Sequence, residues 1–374
     1  MSNDEIPGLY IHVPFCRSKC PYCDFYSIPT LSLVNQWGEA LKREILTYKD
    51  RFGVFDSLYL GGGTPSVLGR RDLTSLFENI HRNFSFAPDT EITLEANPDD
   101  ITREKLTLFR ALGVTRISLG VQSLDDRELR TLGRRHTARQ AEQALDMIRG
   151  SGFTNLGVDL MYGLPGQRAS DWLKTMTRAL DYGPEHISCY QLTVHDETTF
   201  GNMVAEGRIC PLGEEEERDF FLLTAKFLEE EGYIHYEISN FARDEAHIAR
   251  HNPKYWRHVF YLGLGPSAHS FWDGVRRWNI NCVTTYCEML GKGTLPGAGS
   301  ERLSCDQRRL EALYLGFRTR QGVDLRLVRR QSGADKILAR LQAENLVEIH
   351  GGRVIPTLEG FAVADSLPLL FFRE

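Results

Sequence analysis

The sequence has no apolar run approaching the ~20 residues that a membrane-spanning helix needs. Its most apolar tail, Leu367 to Phe372, is short and interrupted by Pro368. The opening MSNDEIPGLY carries neither the basic nor the apolar segment of a signal peptide, so no leader is expected. There is no repeat of fixed short period and no low-complexity tract. Positive charge is not in excess. The 44 Lys and Arg stand against 50 Asp and Glu, a net charge of -6, which argues against bulk binding of nucleic acid. Cysteine is too thinly spread for a disulfide framework. Of eight in 374 residues, Cys189, Cys210, Cys282, Cys287 and Cys305 are scattered, so a reducing, cytoplasmic setting is expected. What remains is 42% hydrophobic and 25% charged, an ordinary composition in a chain long enough for a substantial core.

The other three cysteines, Cys16, Cys20 and Cys23, sit together in YIHVPFCRSKCPYCDF, directly after the apolar run Leu9-Tyr10-Ile11. A thiolate loop this tight at a strand end suits a metal or an iron–sulfur cluster. Three thiolates are one short of a closed structural zinc site, and no fourth cysteine follows nearby; Phe25 stands two residues after Cys23. A [4Fe-4S] cluster on three thiolates leaves one iron open for a small molecule. A zinc site completed by His12 or a distant group, and three unrelated thiols, are the other readings of the spacing.

From residue 8 to about 200 short apolar segments alternate with helical ones. GLYIHV, SLYLGG, EITLEA, RISLGV, NLGVDLMYG and HISCYQL read as strands. Amphipathic helices are expected at Gln36–Tyr48, with Trp37, Leu41, Ile45 and Tyr48 on one face, and at Arg103–Leu112, with Leu106, Phe109 and Ala111 inward. A third runs over Ala138–Ile148. Such alternation implies a parallel sheet with right-handed crossovers. Every strand ends on a polar or glycine feature: the cysteines, then Gly61-Gly62-Gly63-Thr64-Pro65, Glu95-Ala96-Asn97-Pro98, Gly120-Val121-Gln122-Ser123, Asp159 before Tyr162-Gly163-Leu164-Pro165-Gly166, and Gln191 with Thr193. Function at every carboxyl end marks a barrel face. A dinucleotide-binding fold would instead concentrate G-x-G-x-x-G in its first turn, where it is absent. The expected fold is therefore α/β, a partial, open-sided (β/α)6 barrel over residues 1–210. An extension follows over 211–300, opening on an acidic helix at 213–231 with Phe220, Phe221, Leu223, Phe227 and Leu228 buried. A C-terminal helical, winged-helix-like domain with a hairpin at Gly351-Gly352 completes it over 301–374.

These motifs, in this order, resemble the radical SAM superfamily. More specifically they are similar to the lineage of oxygen-independent coproporphyrinogen III oxidases and HemW-type heme chaperones. The matching text is YIHVPFC-x3-CPYCDF, GGGTP, EANP, GVQS, LGRRH, DLMYGLPGQ and HNPKYW. The resemblance implies that Cys16, Cys20 and Cys23 hold three irons of a [4Fe-4S] cluster and that S-adenosylmethionine (SAM) binds the fourth. It implies SAM contacts from Tyr10, Gly62, Gly63, Thr64, Glu95, Gln122, Arg134 and Asp159, with Thr193 on the adenine side. Read alone, the glycines are a tight turn, Tyr10 is core, and Arg134 is a surface arginine that neighbouring Arg135 rivals. Phe25 stands where the oxidases carry a further cysteine, and only nine residues precede Tyr10; both departures point to the heme chaperone branch. That branch implies heme as a ligand, a heme-accepting partner such as a respiratory hemoprotein, and membrane association only through that partner. His251 of HNPKYW is the candidate heme contact, with His247, His258 and His269 competing and a packed turn as the plain alternative.

Overall fold

The computed structural model describes residues 5–372. Six parallel strands, β1 (Gly8–Val13), β2 (Val54–Gly62), β3 (Ser85–Ala96), β4 (Arg116–Gln122), β5 (Leu156–Tyr162) and β6 (His186–Gln191), pair in chain order. Beyond β6 lie β8 (Asn240–Ala242) and β7 (Ile234–Glu237), both antiparallel. Beyond β1 lies β9 (Tyr261–Leu264), parallel to it, then β10 (His269–Trp272), β11 (Val275–Asn279) and β12 (Gly297–Arg302), all antiparallel. The twelve strands form one sheet ending on β12 and β7. This is the expected partial (β/α)6 barrel, widened at both edges.

Strand alternation gives the barrel two unlike faces. Leu9, Ile11 and Val13 of β1, Leu58 and Leu60 of β2, Leu94 of β3 and Ile117 and Leu119 of β4 are fully buried in the main core. The intervening residues are polar or small and stand in register across the sheet. Tyr10 pairs with Tyr59, His12 with Gly61, Glu95 with Ser118, Gly120 with Asp159, and Asp159 with Ser188. The helix-facing side is thus apolar and the inner side carries chemistry.

The crossover helices follow their sequence patterns closely. The first, Val34–Tyr48, buries Trp37, Leu41 and Ile45 as expected, together with Ala40 and Glu44. Helix Arg103–Ala111 is N-capped by Thr102 and buries Leu106, Leu108 and Phe109. Ala111, expected inward, is exposed. Five residues beyond Leu106, it lies roughly 140° around the helix from it. Helix Ala138–Gly150 opens on a capping box between Thr137 and Gln140. The acidic helix, Glu214–Glu230, carries Glu214 to Glu217 in its first turn, where the helix dipole favours negative charge. It buries Phe220, Phe221 and Leu228, while Leu223 and Phe227 are only half-buried.

Glu44 ties the barrel to its extension. Fully buried, it accepts hydrogen bonds from Tyr286 Oη (2.6 Å), Asn279 Nδ2 (2.6 Å) and Gly265 N (2.8 Å). Burial raises its carboxyl to about 7. Glu44→Ala is expected to cost ~3 kcal/mol, because the buried Tyr286 hydroxyl and Gly265 N–H lose their acceptor and Asn279 keeps only Gly265 O, with Glu44→Gln recovering about half. Chemical denaturation of the two variants checks this.

Residues from Leu313 to Phe371 build a second core, including Phe317, Leu338, Leu341 and Val354. Helices Cys305–Phe317 and Ala334–Ala343 pack there with an antiparallel sheet of β13 (Val323–Asp324), β14 (Val347–His350) and β15 (Arg353–Pro356). The hairpin turns at Gly351-Gly352, where the sequence placed it. Phe361 packs on Phe221 and Leu222 of the acidic helix and so joins this part to the barrel.

Candidate functional site

The cysteine loop leaves β1 at its carboxyl end and is held by four neighbours. Cys16 N donates to Ile28 O (3.1 Å), and Phe200 N donates to Pro21 O (2.9 Å). Arg17 pairs with buried Asp100 at 2.9 Å, and Ser66 Oγ donates to the other oxygen of that carboxylate. Pro21 packs on Gly133, whose φ of 63° and open Cα suit the LGRRH turn; a Cβ there would lie 2.7 Å from Pro21 Cδ. All three thiols are free and half-buried.

Two of the three sulfurs have aimed partners, and one residue links those partners. Asn97 Nδ2 donates to Thr64 Oγ1 (3.2 Å), which leaves the Thr64 proton for Cys16 Sγ at 3.3 Å. Arg134 Nη2 donates to Asn97 Oδ1 (2.6 Å) and Gly120 O (2.8 Å), while its Nη1 lies 3.6 Å from Cys20 Sγ. Asn97 is the residue missed from sequence alone. Its motif was visible, but only the fold shows that it bridges the GGGTP and LGRRH turns. Arg135, the rival of Arg134, pairs instead with Asp99 at 3.0 Å. Burial pushes the Cys23 thiol up to about 11, with the nearness of Cys20 and Cys16 adding to it. Three thiolates gathered this way repel one another, and cationic iron offsets that repulsion.

Among the described residues no three His, Cys, Asp or Glu groups converge on a point that a single metal ion would fill. An iron–sulfur cluster does not need such convergence, because each thiolate ligates a different iron. His12 also fits poorly as a fourth zinc ligand. Its Nε2 donates to Tyr26 O (2.9 Å) and its Nδ1 accepts from Tyr10 Oη (3.1 Å). Burial holds it neutral, near pKa 4.

The inner face beside the loop carries the other expected residues. Glu95 accepts from Tyr59 Oη (2.7 Å) and Gly62 N (3.2 Å), and burial lifts its carboxyl to about 7. Asp159 accepts from Ser118 Oγ (3.0 Å), and burial raises it as well. Gly62 has a φ of 101°, and a Cβ there would sit 2.4 Å from the His12 ring. The glycine turn is therefore needed for close packing against β1, whatever else it binds. Gly63 N and Thr64 N donate to Val13 O and Phe15 O, at 2.8 and 2.7 Å, and lock that turn to the cysteine strand. Gln122 holds a φ of 66°, and its Oε1 is buried without a partner; Arg134 Nε is likewise buried and unpartnered. Two orphaned polar atoms near the thiols, with Glu95 and Asp159 on the same face, fit a polar ligand carrying amino, carboxylate and hydroxyl groups. Tyr190 on β6 keeps 39% of its surface exposed, so the inner face is open there. Thr193, just past β6, is exposed.

His251 lies elsewhere. It is buried at the amino end of the barrel, with Nδ1 3.0 Å from Ser57 Oγ and Nε2 2.8 Å from Tyr255 Oη. Its ring packs 5.3 Å from Tyr59, and burial lowers its pKa to about 3. Both ring nitrogens are engaged by side chains, as in the packed turn given above as the plain alternative.

Comparisons with known proteins give the family and the fold. Residues 10–179 match the model of the radical SAM superfamily, and residues 303–363 match the HemN C-terminal domain. The chain is 35% identical to the heme chaperone HemW of Mycobacterium tuberculosis, over 96% of this chain and 93% of that protein. It is 34% identical to the HemW of Bacillus subtilis, over 84% of each. It is 32% identical to the mitochondrial radical S-adenosyl methionine domain-containing protein 1 of Danio rerio, over 98% and 88%. Among solved structures, coproporphyrinogen III oxidase (HemN) of Escherichia coli shares its fold, with a TM-score of 0.83 at 24% identity over 98% and 90%. The chain belongs to the HemW family of radical SAM proteins.

Proposed function

We propose that this chain is a cytoplasmic heme chaperone that holds a [4Fe-4S] cluster on Cys16, Cys20 and Cys23, binds SAM beside it, binds heme, and passes heme to an acceptor hemoprotein. The observation that carries the metal and SAM part is the ring Cys16–Thr64–Asn97–Arg134–Cys20. It sets two hydrogen-bond donors on the cluster sulfurs and leaves Arg134 Nε and Gln122 Oε1 without partners beside them. With both groups bound, the chemistry available there would be one-electron reduction of the SAM sulfonium. This chain's residues hold the ligand. Arg134 faces the carboxylate. Glu95, its carboxyl raised by burial, would accept from the amino group. Gln122 and Asp159 would take ribose hydroxyls, Tyr10 would contact the ligand near its sulfonium, and Gly62, Gly63 and Thr64 would shape the wall. We propose residues 1–210 as the cofactor unit, 211–300 as its extension and 301–374 as the C-terminal unit. Any membrane contact then comes through the acceptor; no helix among the described residues is long and apolar enough to cross a membrane. Phe25, 69% exposed, stands where the oxidases carry a cysteine and supports the chaperone branch.

Anaerobic reconstitution followed by heme titration and transfer to an apo-hemoprotein tests this reading. A saturable Soret change and heme transfer are expected. Arg134→Ala should weaken SAM binding by roughly tenfold or more in calorimetry. A tetrapyrrole decarboxylated in step with 5′-deoxyadenosine formation would overturn the chaperone assignment, as would the absence of any heme binding.

A further inference from the structure

A cavity of about 660 Å³ lies at the other end of the barrel from the cysteine loop, between the segment entering β9 and the C-terminal part. Its volume is within the ~300–1,000 Å³ usual for small-molecule sites. Val259, Phe260, Phe271 and Leu327 supply its apolar lining. Four arginines border it, Arg257, Arg308, Arg309 and Arg330, against the carboxylates Glu5 and Asp273. An occupant with a flat apolar body and anionic groups is what such a lining suits.

His258 lines the same cavity. Its Nε2 donates to Glu311 Oε2 at 3.1 Å, and the other oxygen of that carboxylate accepts from Arg276 at 2.7 Å. A carboxylate on one ring nitrogen fixes the tautomer, raises the basicity of the other and leaves that lone pair for a metal. The backbone is left-handed at His258, with φ 53°, so the side chain is held at a position most residues avoid. The other candidates lack this combination. His251 has both nitrogens engaged. His247 pairs with Asp244, but neither it nor His269 lines either of the two larger cavities.

We infer that heme, the cargo in the function proposed above, binds in this cavity, with His258 Nδ1 on the iron and the propionates toward Arg308 and Arg330. This inference rests on that heme-binding reading. Phe260 O accepts from Gly8 N at the start of β1, whereas the cysteines follow its end. Six strand residues separate the two places by roughly 17 Å. Heme held here is cargo kept away from the cluster, not a substrate presented to it.

The test titrates the reconstituted chain with hemin and, separately, with metal-free protoporphyrin IX. His258→Asn, which keeps a residue tolerant of the left-handed backbone, should shift the Soret band and weaken hemin about tenfold or more while leaving protoporphyrin nearly unchanged. The surface pair Arg308→Glu with Arg330→Glu should weaken both probes by about tenfold. His251→Ala should keep the wild-type Soret position. The site is overturned if the groove variants bind hemin as wild type does, or if His251→Ala alone abolishes the Soret change; Cys305 lines the same cavity, so loss of the Soret change in Cys305→Ser alone would overturn His258 as the ligand. Wild type that binds no hemin overturns the heme reading itself, so the two failures are distinct.

Discussion

Replacing any one of Cys16, Cys20 or Cys23 by alanine is expected to remove nearly all iron and acid-labile sulfide after anaerobic reconstitution, with little change in thermal stability. The loss is large because each thiolate holds a different iron, so a missing ligand exposes a second corner of the cluster to solvent and exchange. The fold should survive because the loop is fastened by groups other than the sulfurs. Ile28 O holds Cys16 N, Asp100 holds Arg17, and Phe200 N holds Pro21 O. Iron and sulfide assays with a melting curve check both halves. Full iron retention in one alanine variant would remove that cysteine from the ligand set. Zinc without sulfide in the wild type would remove the cluster.

Stability of the metal-free chain should pass through a maximum near pH 6.5. Five buried histidines stay neutral in the fold. His12, His136 and His235 are lowered to about 4 and His251 to about 3, with burial the first cause, and His186 is lowered well below its ordinary value. The unfolded chain binds protons at these sites below about 6.5 and the fold does not, so their stabilisation is present above that pH and lost on acidification. Glu44, Glu95 and Glu237 have the opposite sign. Burial raises each to about 7, so the fold keeps protons that the unfolded chain releases above 4.5, and that stabilisation is lost as pH rises through 7. Asp159, Glu128 and Glu229 are raised in the same way and His81 and His269 are lowered, so between these limits the histidines outnumber the carboxylates narrowly, and stability should fall by ~1 kcal/mol per pH unit on acidification from 6.5 toward 4.5. Above 6.5 only the carboxylates act and stability declines gently. Thermal melts across this range decide it; a higher Tm at pH 5 than at pH 6.5 would reverse the expected sign.

The barrel was legible in the sequence because its helix-facing residues had to be apolar at alternate positions, as in GLYIHV and RISLGV. The edges were not. β11 reads VRRWN and β8 only NFA. Such segments become strands because a neighbouring edge offers its backbone, a tertiary cause with no local signature. EITLEA gave only the second half of β3, since Ser85 to Thr90 are mostly polar or interrupted by Pro88. In the site, the spacing marked the cysteines, and the family text marked Glu95, Arg134 and Asp159. The Asn97 link, Tyr59 and the Glu311 behind His258 depend on distant segments meeting. Periodicity carries no trace of such meetings.

β1 is an interior strand, paired on one side with β2 and on the other with β9. The segment proposed to carry the metal therefore hangs from a part of the sheet stitched along both borders. If the proposed cluster is the one bound, an order of assembly is expected: the polypeptide would reach its final shape first, and the inorganic centre would be fitted afterwards into a finished socket. Losing the metal to oxygen would then empty the socket without unravelling the sheet, and an oxidised molecule would be refilled rather than remade.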